Sequence, residues 1–205
     1  VTEIKNSCSL PVSIKTRLGL DYDENLDLLK DFIYKTSNAG CNRFFLHARN
    51  AILKGISTRK NRNIPALRYD DAFKIKTEFP HLSIILNGGI TTMDEIINYS
   101  DLFDGVMIGR KIYDDPMFLL NIENKIFNSS LIYDKRIILK KYLEYALTQI
   151  NLGANKYFLF KHLFGLYYKT DFSKKWKKFL NMIIREEINI LRMPFFEEMI
   201  YEKKI

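Results

Sequence analysis

The chain has 205 residues, with 32 Lys and Arg against 24 Asp and Glu, and a formal net charge of +8 at pH 7. Apolar residues make up 47% and charged residues 27% of the sequence, which excludes a disordered chain and suits one large domain or two small ones. Its apolar runs, such as 44–46 and 158–160, are too short for a membrane span. Two cysteines exclude a disulfide scaffold and predict a reducing, cytoplasmic environment. Because the first residue is Val1 and not Met, we expect a longer gene product.

The first 120 residues alternate between strand and helix patterns. Apolar and polar side chains alternate in 10–17, and short apolar runs follow later, whereas helical spacing and a Thr92-x-x-Glu95 capping box mark the helices. The strands are predicted at 10–17, 43–47, 83–86 and 106–108, and the helices at 24–38, 67–79 and after Thr92. This order predicts a parallel sheet with crossover helices.

Four such units correspond to half of a (β/α)8 TIM barrel, which takes about 250 residues. The predicted fold class is therefore α/β, with residues 1–125 forming the C-terminal half of the barrel, strands 5–8. Four strands with barrel curvature leave an unpaired edge on each side, so we expect the missing strands N-terminal to Val1. A small open doubly wound sheet is the alternative.

Residues 126–205 are predicted to form an all-α domain, since only helical patterns occur from about 134 to 190. Between Lys156 and Lys178 there are seven Lys and one His against a single Asp, which gives this domain much of the excess positive charge. Three apolar stripes are expected to form its core: Tyr142, Leu143, Tyr145, Ala146 and Ile150; Tyr157, Phe160, Leu163 and Phe164; and Phe179, Met182, Ile183 and Ile190.

Polar or glycine residues follow every predicted strand. In parallel α/β folds ligands bind at this carboxyl edge of the sheet, so these residues are the candidates for a binding site. The glycine loops after the last two strands predict a phosphate site, because glycine lets backbone N–H groups approach an anion; a plain tight turn is the alternative. The strand-end residues are Lys15 and Arg17, His47 and Arg49, Asn87, Gly88 and Gly89, and Gly109 and Arg110.

Single residues near these strands have more than one interpretation. The Lys15 ammonium is expected to point into the barrel mouth, where it can stabilise negative charge on a planar cofactor; a surface lysine is the alternative. His47 can donate a hydrogen bond to a ligand or serve a structural purpose, and His162 is expected to be structural. Cys8 and Cys41 precede the strands, at the wrong end for catalysis, and are predicted to be small packing residues.

Six short motifs occur in a fixed order along the chain. They are IKTRLG at 14–19, LHAR at 46–49, LKGIS at 53–57, NRxxPxLxY at 61–69, LNGGI at 86–90 and DGVMIGR at 104–110. In these motifs and their order the sequence resembles the tRNA-dihydrouridine synthases, specifically the A subfamily, from about residue 11 to about residue 178.

This resemblance implies an FMN-containing TIM barrel followed by a helical tRNA-binding domain. It implies reduction of a uridine C5=C6 bond at positions 20 and 20a in the D-loop of tRNA, with electrons from NADPH. The family's general-acid cysteine lies in a Gly-Cys-Pro segment that is expected upstream of Val1, so no catalytic residue is assigned in this chain. The implied contacts are Lys15 and His47 to the flavin; Asn87, Gly88, Gly89, Gly109 and Arg110 to its phosphate side; and Arg59, Arg62, Lys174 and Lys177 to tRNA.

Two other functions fit part of the sequence. One is a different FMN-dependent TIM-barrel oxidoreductase that acts on a small molecule, and the other is a non-catalytic RNA-binding fragment. The basic helical segment favours a nucleic-acid partner over a small substrate alone. The expected partners are therefore tRNA and NADPH, without a membrane or a metal, and the protein is expected to be monomeric and cytoplasmic.

Overall fold

The computed structural model describes residues 1–130 and 134–185 of the chain. Its contacts divide the chain into two compact units, Val1–Gly109 and Arg110–Ile205. The division falls earlier than the boundary predicted after residue 125. Within the described residues, no helix is long and apolar enough to cross a bilayer.

The first unit is an α/β structure, as predicted. Its four strands are parallel and lie in the order β1-β2-β3-β4, so each consecutive pair is joined by a crossover. A short 3₁₀ turn at Lys60–Arg62 interrupts the long connection after the second strand. The elements are α1 Thr2–Ser7, β1 Ser13–Arg17, α2 Asp27–Asn38, β2 Arg43–His47, α3 Tyr69–Glu78, β3 Ser83–Asn87, α4 Met93–Leu102 and β4 Val106–Met107.

The first strand is shorter than predicted and is preceded by a helix that the sequence pattern did not indicate. Pairing with β2 begins at Ser13 opposite Arg43, whereas Leu10 is 68% exposed. Pro11 has no N–H to donate to a ladder, which explains why the alternating pattern does not extend the strand towards residue 10. The α1 helix has no buried residue, so no apolar stripe marks it in the sequence.

The two faces of the sheet differ because successive side chains of a strand point in opposite directions. Phe44, Leu46, Ile84 and Leu86 are fully buried on one face. This face belongs to the core of the unit, together with apolar side chains from α2, α3 and α4. The opposite face keeps its side chains partly accessible, and its cross-strand sets are Lys15, Phe45 and Ile85, followed by Arg17, His47 and Asn87.

The capping box predicted at the start of α4 is present. The Glu95 backbone N–H donates to Oγ1 of Thr92 at 3.2 Å, and the Thr92 N–H donates to the Glu95 carboxylate at 2.9 Å. Burial by itself raises the pKa of Glu95, but the hydrogen bonds from Thr91 and Thr92 outweigh it and lower this pKa below its ordinary value.

The described part of the second unit is helical. Its core surrounds Trp176, whose indole N–H donates to the carbonyl oxygen of Leu163 at 2.7 Å. A 3₁₀ turn at Lys161–Leu163 follows the fourth helix of this unit. The helices are α5 Arg110–Asp114, α6 Phe118–Ile126, α7 Lys135–Asn151, α8 Lys156–Phe160 and α9 Ser173–Ile184.

Most of the predicted core stripes of this unit are confirmed, but two tyrosines are not in the core. Tyr145 and Tyr157 are 53% and 52% exposed. Tyr145 lies off the stripe that runs through Leu139 and Leu143. It is six positions after Leu139, so its side chain is rotated about 240° around the helix axis from that of Leu139. Ile190 lies outside the described residues. The buried members are Leu143, Ala146, Phe160, Leu163, Phe179 and Ile183, while Tyr142, Ile150, Phe164 and Met182 are half-buried.

The two cysteines differ in their surroundings. Cys41 is fully buried between α2 and β2, which confirms its prediction as a packing residue. The same prediction is wrong for Cys8, which is exposed at the end of α1, a helix without any buried side chain. Both cysteines precede a strand, at the end of the sheet opposite to the strand-end residues.

Candidate functional site

The accessible face of the sheet brings Lys15 and Asn87 together. The Lys15 Nζ donates a 2.7 Å hydrogen bond to Oδ1 of Asn87, across the intervening strand β2. The Asn87 Nδ2 in turn donates to the carbonyl oxygen of Met107 on β4 at 2.8 Å. The amide of Asn87 is therefore fixed in orientation and positions the ammonium group at the centre of this face.

Positive charge is concentrated around this ammonium. Burial, and then the neighbouring charge of Arg17, lower the pKa of Lys15 below its ordinary value. Burial, and then the charge of Arg62, likewise lower the pKa of Arg17. A bound anion would relieve both the repulsion between these cations and the loss of their hydration. The electrostatics therefore favour an anionic ligand at this edge of the sheet.

The glycine pair after β3 is required by close packing. Gly88 and Gly89 have φ angles of +118° and +72°, which side chains other than glycine rarely adopt. A Cβ on Gly88 would lie 2.7 Å from the His47 ring, and one on Gly89 would lie 2.6 Å from Leu67 and 2.8 Å from the Tyr69 hydroxyl. His47 thus lies directly against the glycine loop, as its predicted position at the end of β2 implies.

Tyr69 holds this loop from the side of α3, a role that the sequence reasoning did not assign. Its hydroxyl donates a 2.6 Å hydrogen bond to the carbonyl oxygen of Gly88. Burial, together with Tyr99 and Glu95, raises the pKa of Tyr69 to about 12, so the phenol is a neutral donor near pH 7. The only signal in the sequence is its place at the end of the NRxxPxLxY motif.

Gly109 offers a contrast to the first glycine pair. Its φ is not in the left-handed region, and a Cβ built on it meets no atom within 4 Å. Packing does not require glycine at this position, and the open space beside it can accept a bound group. This space fits the predicted phosphate contact of the loop after β4.

The basic loop after β2 is folded back on the sheet by Arg17 and Asn61. The Arg17 guanidinium donates to the carbonyl oxygens of Asn50 at 2.6 Å and Asn61 at 2.9 Å. The Asn61 side chain makes a reciprocal pair of hydrogen bonds with the backbone N–H and carbonyl of Ile52. The Asn61 side chain therefore pairs with the Ile52 backbone as a neighbouring strand would, and it holds the two ends of this loop segment together.

These contacts place Arg59 and Arg62, which flank the anchored Asn61, in exposed positions. Arg49, another cation of the strand ends, is instead 8% exposed and donates to the carbonyl oxygens of Asn63 and Pro65. Two cations thus donate to the backbone of this loop, Arg17 and Arg49, and two others on the loop are exposed, Arg59 and Arg62.

The remaining predicted residues belong to the second unit. Arg110 is the first residue of α5, and Lys174 and Lys177 are exposed on α9 on either side of the buried Trp176. Their solvent exposure suits contact with an anionic partner, and their individual roles stay predictions.

A comparison with known proteins identifies the family. A family model described as dihydrouridine synthase matches residues 1–199, and the chain belongs to this family. Its relatives include a tRNA-dihydrouridine(20/20a) synthase of Pasteurella multocida (strain Pm70), 33% identical over 182 residues. Proteins with the same name from Pseudomonas syringae pv. tomato and Synechocystis sp. are 34% identical over 192 residues and 33% identical over 182 residues.

The chain covers only part of each relative. The matches include 88%, 93% and 88% of this chain, but 56%, 57% and 54% of the length of the Pasteurella, Pseudomonas and Synechocystis proteins. The chain thus spans just over half the length of the curated relatives that it matches.

Proposed function

We propose that this chain is the FMN- and tRNA-binding portion of a tRNA-dihydrouridine(20/20a) synthase, which is the name that its relatives carry. The observation that carries the proposal is the convergence of Lys15 and Asn87 on the accessible face of the sheet, in a family member. In this proposal the four strands would be strands 5–8 of a TIM barrel, and their consecutive parallel order supports that assignment. The accessible face is then part of the barrel interior.

The residues of this face suit a flavin mononucleotide. Lys15 and His47 would contact the flavin, and Asn87, Gly88, Gly89, Gly109 and Arg110 would contact its phosphate side. When bound, FMN reduced by NADPH would supply the hydride for C6 of the uridine, and a general acid that is assigned to no residue of this chain would supply the proton for C5. The Lys15 ammonium opposes negative charge beside it, Asn87 orients that ammonium, and Tyr69 holds the glycine loop in place.

A second group of residues would bind the tRNA. A uridine in a folded tRNA must leave its base stack before it reaches the sheet, at a cost of about a few kcal/mol. Phosphate contacts from Arg59 and Arg62, and from Lys174 and Lys177, would offset this cost.

Cys8 and Cys41 lie at the amino ends of strands, so the general-acid role is assigned to neither.

A binding experiment with an unmodified tRNA transcript tests this proposal. The dissociation constant is measured at several salt concentrations, with and without FMN, for the wild type and for the double variant Arg59→Ala, Arg62→Ala. We expect the variant to bind more weakly, with a slope of log affinity against log salt that is smaller by about 1.5–2, since two phosphate contacts are lost.

The control is the double variant Lys30→Ala, Lys35→Ala on α2. Each of these lysines already has an ion-pair partner, which is Glu78 for Lys30 and Asp31 for Lys35. It should leave the slope unchanged. If the wild type does not bind tRNA at low salt, but reduces a small enoate when FMN and NADPH are supplied, the proposal is wrong and a small-molecule reductase takes its place.

A further inference from the structure

Two adjacent aromatic rings lie on the surface at the start of α8. Tyr157 and Phe158 are 52% and 59% exposed, with ring centroids 5.6 Å apart and an edge-on arrangement. The Lys161 Nζ lies 4.7 Å from the centre of the Phe158 ring and 5.9 Å from that of Tyr157. The ammonium therefore lies close to both rings, at distances typical of cation–π contacts.

A second exposed pair continues this surface. Tyr113 on α5 is 52% exposed, and its ring lies edge-on to His162 at 5.8 Å. The Tyr113 hydroxyl lies 3.5 Å from the carbonyl oxygen of Lys161, which joins the two pairs. We call this surface the α8 patch, and it consists of Tyr113, Tyr157, Phe158, Lys161 and His162.

In the described part of the second unit, these rings lie outside the buried core. Its core is completed in this region by Leu159, Phe160 and Leu163, all of which are buried. Large apolar side chains that lie together on a surface and bury little area commonly mark an interaction site. The α8 patch is therefore a candidate interaction site, and its charge indicates the class of partner.

The segment of the sequence that carries most of the patch is basic, which favours a polyanion as the partner. Between residues 156 and 178 the sequence has seven Lys and one His but only one Asp. Exposed aromatic rings with cations beside them form the typical surface for single-stranded nucleic acids, since the rings stack on bases and the cations meet phosphates. A protein partner would need an unusually acidic face to match this surface.

We propose that the α8 patch stacks unpaired bases of an RNA, with Tyr157 and Phe158 as the stacking rings and Lys161 beside the phosphate backbone. This inference rests on the proposed binding of tRNA and adds a site for single-stranded nucleotides to the helical unit. It differs from the exposed lysines of α9, which contribute charge without rings.

The test uses the 205-residue chain and the double variant Tyr157→Ala, Phe158→Ala. The probes are an unmodified tRNA transcript and a single-stranded RNA oligonucleotide that carries 2-aminopurine, whose fluorescence is quenched by stacking. We expect the variant to raise both dissociation constants by about 5- to 100-fold, and to lose the quenching, because each stacked base is lost. The salt dependence should not change, since no charge is removed.

Two controls isolate the rings from the fold. Tyr34→Ala removes a tyrosine that is 60% exposed on α2 and should change affinity less than twofold. The exchange Tyr157→Phe, Phe158→Tyr keeps both rings and should retain wild-type affinity and quenching. If the double alanine variant does not fold by circular dichroism, Phe158→Leu keeps the apolar volume without the ring and is expected to lose the quenching.

The outcomes separate this inference from the proposed function. If wild type and variant bind tRNA equally, with the normal salt dependence, the stacking site is wrong and the proposed function stands. If the wild type binds no tRNA at low salt, both are wrong. If the variant loses only self-association, seen by sedimentation, the patch is a protein interface and the inference is overturned.

Discussion

The ammonium of Lys15 and the side-chain oxygen of Asn87 are 2.7 Å apart, although their strands are separated by β2. Asn87 also donates to the Met107 carbonyl on β4, so one amide connects the first strand to the last across the whole sheet. This geometry fixes a cation on the accessible face before any ligand arrives. A preoriented cation contributes more to binding an anion than one that must first be ordered.

Replacement of this cation should weaken FMN binding without loss of the fold. We expect Lys15→Ala to raise the dissociation constant of FMN about 10- to 100-fold, since a hydrogen bond to a charged group contributes about 1.5–3 kcal/mol. Flavin fluorescence during a titration measures this constant. Lys35→Ala, which removes only a surface ion pair with Asp31, should leave it unchanged.

The same contact predicts a pH dependence. The pKa of Lys15 in the free protein is below its ordinary value of 10.5, so its positive charge is lost earlier than that of a surface lysine as the pH rises. FMN affinity of the wild type should therefore fall with rising pH before 10.5 is reached, whereas Lys15→Ala should not show this fall. An equal decline in both proteins would contradict the contact.

The glycine loop should tolerate substitution only where space exists. Gly89→Ala meets Leu67 and Tyr69 and adopts a strained φ, so it should lower the free energy of unfolding by about 2–4 kcal/mol. Gly55 has a φ of +87°, but a Cβ on it would meet no atom within 4 Å, so Gly55→Ala should lower the free energy of unfolding by only about 1–2 kcal/mol. Gly109→Ala should change it by less than about 0.5 kcal/mol. Urea denaturation measures all three, and equal losses would refute the packing argument.

Asn61 should control the basic loop without contributing charge. Asn61→Ala removes the hydrogen bonds to Ile52 and the 3.1 Å hydrogen bond that Arg17 donates to Oδ1 of Asn61. The backbone carbonyls of residues 50 and 61 still accept from Arg17, but the loop around them is looser. Trypsin should then cleave at Arg59, Lys60 and Arg62 at least about tenfold faster, because local opening exposes these bonds. The tRNA affinity should fall while its salt slope stays constant. Unchanged cleavage would show that the loop is held by other contacts.

The capping box should make part of the stability dependent on pH. Because the folded-state pKa of Glu95 lies below its ordinary value, its contribution is present above that ordinary value and disappears as the pH falls through the folded pKa. Glu95→Gln should therefore cost about 0.5 kcal/mol at pH 7 and progressively less as the pH falls below the ordinary value of 4.5. Thr92→Ala should cost about 1 kcal/mol at pH 7. Its cost should be smaller at pH 3, since the Thr92 hydroxyl also donates to the Glu95 carboxylate at 3.1 Å. Urea denaturation at pH 7 and pH 3 checks both, and a constant Glu95→Gln effect would contradict the assigned cause.

Local sequence patterns were sufficient for the sheet and its crossovers. Alternation and short apolar runs located β2 and β3, and Thr92 with Glu95 located the start of α4, because each signal lies within a few residues. The start of β1 was misplaced since a single Pro11 removes the ladder donor. The exposure of Tyr157 was missed because helical spacing was applied over 157–164, whereas α8 has only five residues and ends at Phe160.

The site was predictable only in part for the same reason. The strand ends identified Lys15, His47 and Asn87, because parallel topology brings carboxyl ends to one edge. The bracing of the loop by Arg17 and Asn61 joins residues 44 positions apart through backbone carbonyls, and no pattern of side chains records such a contact.

Chemical-shift mapping of the isotope-labelled chain with millimolar FMN is the decisive experiment for the proposed flavin site, since it detects weak as well as tight binding at individual residues. We expect saturable shifts of the backbone amides of Lys15, His47, Gly88 and Gly89 and of the Asn87 side-chain amide, all sharply reduced in Lys15→Ala. Shifts confined to the lysine-rich segment of 156–178, with the sheet amides unchanged, would contradict it, because they would show general attraction of an anion without a flavin site.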